Sequence, residues 1–146
     1  MSHELAFSPD GQVLAVAYVD GAVALWDVVS GKMLRMQPTD ADFDSPKHFT
    51  PNKDLLTLDW SPKGDVLVTA GWGGKIVLWD SNKVEKPNPR SLRKTPDGLA
   101  KLKELEAPRW VVRVRFTSDG SRLLSSGGSL SNESDQKVVV WAVSEE

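Results

Sequence analysis

Phe7-Ser-Pro-Asp-Gly11 opens a pattern that the chain repeats at Trp60-Ser-Pro-Lys-Gly64 and again at Phe116-Thr-Ser-Asp-Gly120. Each copy is followed by two short apolar runs joined by a turn, and the second run ends in a tryptophan: Trp26, Trp79 or Trp141. The first two copies are in register, because 53 positions separate Phe7 from Trp60 and also Trp26 from Trp79. Self-similarity at this period predicts an array of small sheet units.

The first unit reads as short strands joined by tight turns. Ser8-Pro-Asp-Gly11 has the composition of a type I turn, with Pro presetting the backbone angle. Asp20-Gly21 is a strong hairpin signal, since both positions tolerate positive φ. We therefore predict three strands around these turns, which cover Val13 to Val19, Ala22 to Val28 and Lys32 to Met36.

The second unit repeats this arrangement, with predicted strands at Asp54 to Trp60, Asp65 to Ala70 and Lys75 to Asp80. A loop rich in Pro, Lys and Arg is predicted from Asn82 to Gly98. The segment from Leu99 to Leu105 fits either a strand or a helical turn, because its leucines recur at every third residue. A strand is preferred, since the first unit also ends in one.

The third unit has predicted strands at Trp110 to Phe116, Arg122 to Ser126 and Lys137 to Val143. It is six residues longer than the others between its two motifs, and the extra residues fall within the Ser-rich stretch Gly128 to Ser134. Only Ser144, Glu145 and Glu146 follow Val143, so the third unit is expected to lack a fourth strand.

Composition limits the classes of function. The 146 residues carry a net charge of -2, whereas nucleic-acid binders usually have a clear basic excess, so a nucleic-acid partner is not expected. There is no cysteine, which excludes disulfides and thiolate metal sites. No apolar run is long enough for a membrane helix, and the first residues lack the features of a signal peptide. We expect a cytoplasmic protein, with the nucleus as the alternative.

The repeated Ser-Pro-Asp-Gly, Asp-Gly and Trp-Asp motifs resemble those of the WD-repeat β-propeller family, from Leu5 to Val143. In that family each repeat forms one four-stranded blade, and blades stack around a central channel. The resemblance implies an all-β fold of about three antiparallel blades within a single domain, 1–146. The blades are expected at about 5–37, at about 54–105 with the basic loop 82–98, and at about 109–143 without an outer strand.

Many blades of this family contain a buried hydrogen-bond chain of Trp, Ser or Thr, His and Asp. The resemblance assigns positions in this hydrogen-bond chain to seven structural residues, namely Trp26, Trp79, Trp141, Thr69, Ser125, Asp20 and Asp135. Val16 and Gly73 depart from the pattern, and the Gly-His dipeptide is missing. Packing of apolar side chains is therefore expected to stabilise the blades.

Three blades form an incomplete ring, since propellers close with roughly four to eight. A three-blade arc leaves two apolar blade faces bare and the strand at Lys137 to Val143 without a neighbour. The chain is therefore expected to associate with itself, to complete a propeller with another chain, or to be a piece of a longer propeller.

Trp72 is the leading candidate for partner binding. It lies in the second hairpin turn, where the family places partner-contacting side chains, and tryptophan is enriched in binding hot spots. The alternative is that Trp72 only packs on the adjacent blade. Val19 and Ser134 occupy the matching turns, and Arg109 and Trp110 open the first strand of the third blade.

No pattern points to a cofactor, a metal ion or catalysis. Asp40, Asp42 and Asp44 alternate as in a calcium loop, but neither the glycine nor the bidentate glutamate follows. The chain lacks recognisable nucleophile and phosphate-loop motifs. The expected function is a non-catalytic protein-interaction scaffold. The alternatives are a regulatory propeller portion of a larger enzyme or signalling protein, and an RNA-associated scaffold based on the basic loop.

Overall fold

The computed structural model describes residues 2–18, 21–37, 55–85, 98–107, 110–128 and 137–143. Within these residues the fold is all-β, and eleven strands form three antiparallel sheets of four, four and three strands. The strands are β1 (Ser2–Phe7), β2 (Val13–Tyr18), β3 (Val23–Asp27), β4 (Met33–Gln37), β5 (Leu55–Trp60), β6 (Val66–Gly71), β7 (Lys75–Glu85), β8 (Gly98–Glu106), β9 (Arg113–Phe116), β10 (Arg122–Gly127) and β11 (Lys137–Ala142).

Each sheet is a simple meander in sequence order, as expected for a propeller blade. Blade 1 has the order β1-β2-β3-β4, blade 2 has β5-β6-β7-β8 and blade 3 has β9-β10-β11. The predicted fold class is confirmed, and the described part of blade 3 has no fourth strand. Among the described residues there is no helix of the length and apolarity needed to cross a membrane.

The repeated motif forms the turn between the first two strands of each blade. In blade 1 the Ser8 hydroxyl donates to Asp10 at 2.5 Å and accepts from the Val13 amide at 3.0 Å. In blade 3 the Thr117 hydroxyl makes the same two contacts, with Asp119 at 2.5 Å and with the amide of the first residue of β10 at 3.1 Å. The hydrogen bond from Thr117, together with those from the Ser121 amide and hydroxyl, lowers the pKa of Asp119 to about 2.

Blade 2 reaches the same turn with a different residue. Lys63 stands where the other copies have aspartate, and Asp65, two residues later, accepts from the Ser61 hydroxyl at 2.7 Å instead. The Val66 amide still donates to that hydroxyl at 3.0 Å. The loss of the motif's aspartate is therefore compensated locally.

The segment from Leu99 to Leu105 is a strand, because β8 pairs antiparallel with β7 on both sides of an irregularity at Leu78 and Trp79. The predicted loop boundary at Asn82 is wrong. Strand β7 continues through Glu85, after an irregularity between Asp80 and Val84, and Val84 pairs with Leu99. The rest of the predicted basic loop, residues 86–97, lies outside the described residues, as do Asp40, Asp42 and Asp44.

The core lies between the sheets rather than within them. One cluster joins blade 1 to blade 2 through the buried residues Ala15, Ala17, Val23, Leu25, Leu58, Trp60, Leu67, Trp79 and Leu99. A second joins blade 2 to blade 3 through Val68, Ala70, Ile76, Leu78, Val111, Val114 and Leu123. Each blade therefore needs a neighbouring blade to bury its apolar face.

Strand β9 begins at Arg113, so the prediction that Trp110 opens this strand is wrong. Trp110 lies in the connection before it, where the next amides hydrogen-bond to carbonyls of Gly71, at 3.1 Å, and Ser126, at 2.9 Å. The connection passes very close to Gly127, because a Cβ built there would lie 1.7 Å from the Trp110 carbonyl oxygen.

Replacing Gly127 with alanine is expected to displace this connection. The added methyl group would overlap a backbone oxygen, which cannot move aside as a flexible side chain can, so we expect the free energy of unfolding to fall by about 3 kcal/mol or more. Urea denaturation measures the change.

Gly31→Ala is the matched control. Its Cβ would meet nothing within 4 Å, so only the backbone strain at a φ of 67° remains, which costs about 1–2 kcal/mol. Equal losses for the two variants would contradict the close approach at Gly127.

Candidate functional site

The side chains of Trp72 and Trp110 stack on one another, with ring centroids 4.6 Å apart and an interplanar angle of 26°. Trp72 lies in the turn between β6 and β7, which is closed by a hydrogen bond of 3.2 Å from the Gly74 amide to the Gly71 carbonyl. Both rings are half-buried. Trp72 therefore packs on the connection into blade 3 and still presents part of its ring to solvent.

Of the five predicted partner-binding residues, the structure brings Trp72 and Trp110 together. Val19, Arg109 and Ser134 lie outside the described residues, as do Asp20 and Asp135 of the predicted structural set. The sequence placed Trp72 and Trp110 in the same set of partner-binding candidates. Their stacking, however, depends on the path of the connection between blades 2 and 3.

The blade tryptophans have hydroxyl partners where the sequence supplies a hydroxyl. The Trp79 indole donates to the Thr69 hydroxyl at 2.9 Å, and the Trp141 indole donates to the Ser125 hydroxyl at 2.9 Å. In blade 1 the corresponding position is Val16, which has no acceptor on its side chain. Trp26 is half-buried there.

The register shows which face each tryptophan occupies. Trp79 pairs with Leu67 and packs in the cluster against blade 1, and Trp141 pairs with Leu123 and packs against blade 2. Each of these two blades thus turns its tryptophan toward the preceding blade. Trp26 pairs with Leu14 in the same register, so it lies on the face of blade 1 that points away from blade 2.

That outer face of blade 1 carries apolar side chains exposed to solvent, and we call it the leading face. Leu5 and Phe7 are 57% and 56% exposed, whereas the residues at the same register in blade 2, Leu58 and Trp60, are 0% and 7% exposed. The leading face is therefore a copy of a surface that is covered elsewhere in the same chain.

The outer face of blade 3, which we call the trailing face, shows the same contrast. Val138 and Val140 on β11 are 67% and 52% exposed, whereas their counterparts in blade 2, Ile76 and Leu78, are 0% and 5% exposed. Strand β11 is also an edge strand in the described sheet. The two ends of the arc thus present the two complementary halves of the interface that joins the blades internally.

A charged cluster joins the innermost strands of all three blades. Glu4 on β1 accepts a hydrogen bond from the Leu58 amide at 2.9 Å. Its other oxygen contacts Arg113 and accepts from Arg115 at 3.2 Å. Arg115 also donates to the Leu58 carbonyl at 3.0 Å. One carboxylate of blade 1 therefore contacts both blade 2 and blade 3.

The protonation of this cluster reflects its partners. Burial by itself raises the pKa of Glu4, but hydrogen bonds from Thr57, the Leu58 amide and Arg115 outweigh it and leave the pKa below its ordinary value. Burial raises the pKa of Asp59 above its usual value, although the Phe116 amide and Arg115 act in the opposite direction. Glu4 is thus stabilised as a carboxylate, whereas the charge on Asp59 is disfavoured by burial.

Sequence reasoning did not identify this cluster. Glu4, Thr57 and Arg113 occupy the same register in their blades, yet they share neither charge nor size. The usable signal was the alternation of polar and apolar residues along each innermost strand, which places one polar side chain at that position in every repeat.

Replacing Glu4 with alanine is expected to lower the free energy of unfolding by roughly 2–3 kcal/mol at neutral pH, because a buried amide and two arginines lose their acceptor. Since the folded-state pKa is lowered, this stabilisation is fully present above the ordinary value of 4.5 and is lost as the pH falls below it. Urea denaturation across this pH range measures both effects.

Glu4→Gln is the control, because its carbonyl oxygen can still accept from the Leu58 amide while the charge is gone. We expect an intermediate loss at neutral pH, and the difference from the wild type should shrink as the wild-type carboxylate becomes protonated. A difference that does not change with pH would show that the charge of Glu4 does not contribute.

Two family models match the first part of the chain. Residues 2–44 match the Anaphase-promoting complex subunit 4 WD40 domain, and residues 45–80 match the WD domain, G-beta repeat. Together these matches cover more than half of the sequence and include the first two copies of the repeated motif.

Curated relatives are similar over most of the chain. DDB1- and CUL4-associated factor 10 of Homo sapiens is 26% identical over 157 aligned positions, covering 86% of this chain and 26% of that protein. Telomerase protein component 1 of Rattus norvegicus is 27% identical over 135 positions, covering 92% of this chain and 4% of that protein. The chain therefore spans about a quarter or less of the length of these relatives.

Solved structures show the same architecture. The RRP9 WD40 repeats superpose with a TM-score of 0.72 at 20% identity, over 97% of this chain and 35% of that one. A likeness at this identity establishes the fold alone. With the repeated motif, the blade topology and the two family matches, it shows that the chain belongs to the WD-repeat β-propeller family.

Proposed function

We propose that the chain is a non-catalytic protein-interaction scaffold whose two outer blade faces are covered by further propeller blades. The supporting observation is the contrast in exposure between the leading face and its equivalent in blade 2. Leu5 and Phe7 lie in solvent at positions where Leu58 and Trp60 are buried. The same sequence pattern thus forms an interface in one blade and is uncovered in the other.

The energetics of burial favour a partner at this face. Burying a leucine or phenylalanine side chain stabilises an assembly by about 1.5–3 kcal/mol each, relative to leaving it exposed. Leu5, Phe7, Leu14 and Trp26 adjoin one another across β1, β2 and β3. A contiguous apolar patch of this kind is typical of an interaction surface.

The polar residues of the innermost strands serve structure in this proposal. Glu4 and Asp59 accept hydrogen bonds from backbone amides of the following blade, which orients the blades but leaves those oxygens occupied. The relatives agree with a role in assemblies, since one is named as a factor associated with DDB1 and CUL4. That association belongs to the relative and here only supports the class of function.

A second candidate is a regulatory propeller portion within a larger protein. It is favoured by the small share of each relative that the chain spans, which is 26% for the associated factor and 4% for the telomerase component. In that case the activity lies in other parts of the protein, and the blades supply the contact surface.

Capture of binding proteins from a nuclease-treated lysate at high salt tests the scaffold function. We expect proteins to remain bound to the wild-type chain, because high salt does not weaken apolar contacts whereas phosphate contacts weaken steeply. Complete loss of bound protein under these conditions would favour the RNA-associated alternative over a protein scaffold.

Trp72→Ala is expected to reduce this capture while lowering the melting temperature only modestly. The lost aromatic stack is worth about 0.5–1.5 kcal/mol beyond its buried area. Trp72→Phe, which can still stack on Trp110, is the control and should retain most of the binding. Unfolding of Trp72→Ala would assign the ring to the core, and unchanged capture by the folded variant would contradict its role in partner binding.

A further inference from the structure

The blades are joined by a recurring polar contact at the innermost strands. In blade 1 Glu4 accepts from the Leu58 amide of the next blade at 2.9 Å. In blade 2 the residue at the same register is Thr57, whose hydroxyl accepts from the Val114 amide of blade 3 at 3.3 Å. The earlier blade thus supplies a side-chain acceptor, and the later blade supplies a backbone donor.

A second contact of this kind lies two residues further along the strand. Asp59 of blade 2 accepts from the Phe116 amide of blade 3 at 2.8 Å. In blade 1 the equivalent residue is Ala6, whose carbonyl oxygen accepts from the Trp60 indole at 3.2 Å. At this second position a side chain therefore accepts from an amide only between blades 2 and 3, whereas between blades 1 and 2 a backbone carbonyl accepts from an indole.

Blade 3 does not continue this pattern. Arg113 occupies the register of Thr57, and Arg115 occupies that of Asp59. A guanidinium group has five donors and no acceptor. Both arginines contact Glu4 of blade 1, so the inner edge of the trailing face has no side-chain acceptor at these two positions.

The lack of side-chain acceptors on blade 3 decides whether a second copy of the chain can cover the leading face. By register, the amides of Leu5 and Phe7 correspond to those of Leu58 and Trp60, and the row continues with Val114 and Phe116. Blade 3 of a second copy would offer these amides no side-chain acceptor. Buried amides without an acceptor weaken an interface by roughly tenfold each.

We propose that the leading face is docked by a blade other than the third blade of a second copy. That blade carries carboxylate or hydroxyl acceptors on its innermost strand, at the two positions that Arg113 and Arg115 occupy here. The inference rests on the proposed covering of the outer faces and specifies its occupant. The apolar side chains of the leading face supply the contact area, and the amides of Leu5 and Phe7 select the partner.

The chain itself provides the probe for this test. Arg113→Thr with Arg115→Asp gives blade 3 the residues that blade 2 has at the same register. Adding Phe7→Asp blocks the probe's own leading face, at a residue exposed to solvent. The acceptor probe then carries all three substitutions, and the donor probe carries Phe7→Asp alone. Binding of each labelled probe to the unlabelled wild-type chain is measured by sedimentation or fluorescence anisotropy.

We expect the acceptor probe to bind the wild-type chain about 100-fold more tightly than the donor probe, since two amides gain partners. Equal affinity of the two probes would overturn the inference while leaving the covering of the outer faces intact. Absence of binding by both probes would also overturn the inference, whereas failure of the proposed scaffold function appears separately as loss of protein capture from the lysate. The two failures are therefore distinguishable.

Further variants guard against misfolding and against an effect of charge alone. A probe with Phe7→Asp and Arg115→Asp keeps the contact of Arg113 with Glu4 and should gain about tenfold over the donor probe. A probe with Phe7→Asp and lysine at both arginine positions retains donors only and should bind like the donor probe. Tight binding of the lysine probe would contradict a role for acceptors. Thermal melts by circular dichroism check that every probe is folded.

Discussion

Each blade can bury its tryptophan-bearing face only against the back of the blade before it. Trp79 lies against blade 1 and Trp141 against blade 2, and both core clusters are made of residues from two sheets. A blade of four short strands has no interior of its own, so its stability is mainly a property of the interface. The arc is held together by nearest-neighbour contacts, as in other repeat architectures.

Hydrophobic burial is not directional, and the repeated faces are similar enough to pack in more than one way. The polar contacts at the innermost strands add direction, because an acceptor on one blade must meet an amide on the next. Glu4 reaches both other blades, and Thr57 lies fully buried between Glu4 and the Val114 amide. Hydrogen bonds at this inner edge therefore orient neighbouring blades, while apolar area supplies most of the stability.

Most of the fold could be predicted because it depends on local chemistry. The turns depend on Ser, Asp and Gly at fixed offsets, and the substitution of Lys63 is tolerated because Asp65 lies near enough to take over. Predictions failed where a residue's state depends on distant neighbours. Asn82 to Glu85 is strand rather than loop because β8 pairs with it, and Trp110 precedes its strand because the connection packs on Gly127.

The sequence by itself determined the number of blades, their strand order, the tryptophan positions and the candidate role of Trp72, because all of these follow from a repeated local pattern. Only the tertiary structure showed that the Trp72 ring lies on Trp110, and that one carboxylate is shared among three strands far apart in the chain. The two bare outer faces were already expected from three blades, and the structure adds which of their side chains are exposed. Burial and pairing are relations between blades, and a pattern within one repeat carries no information about its neighbour.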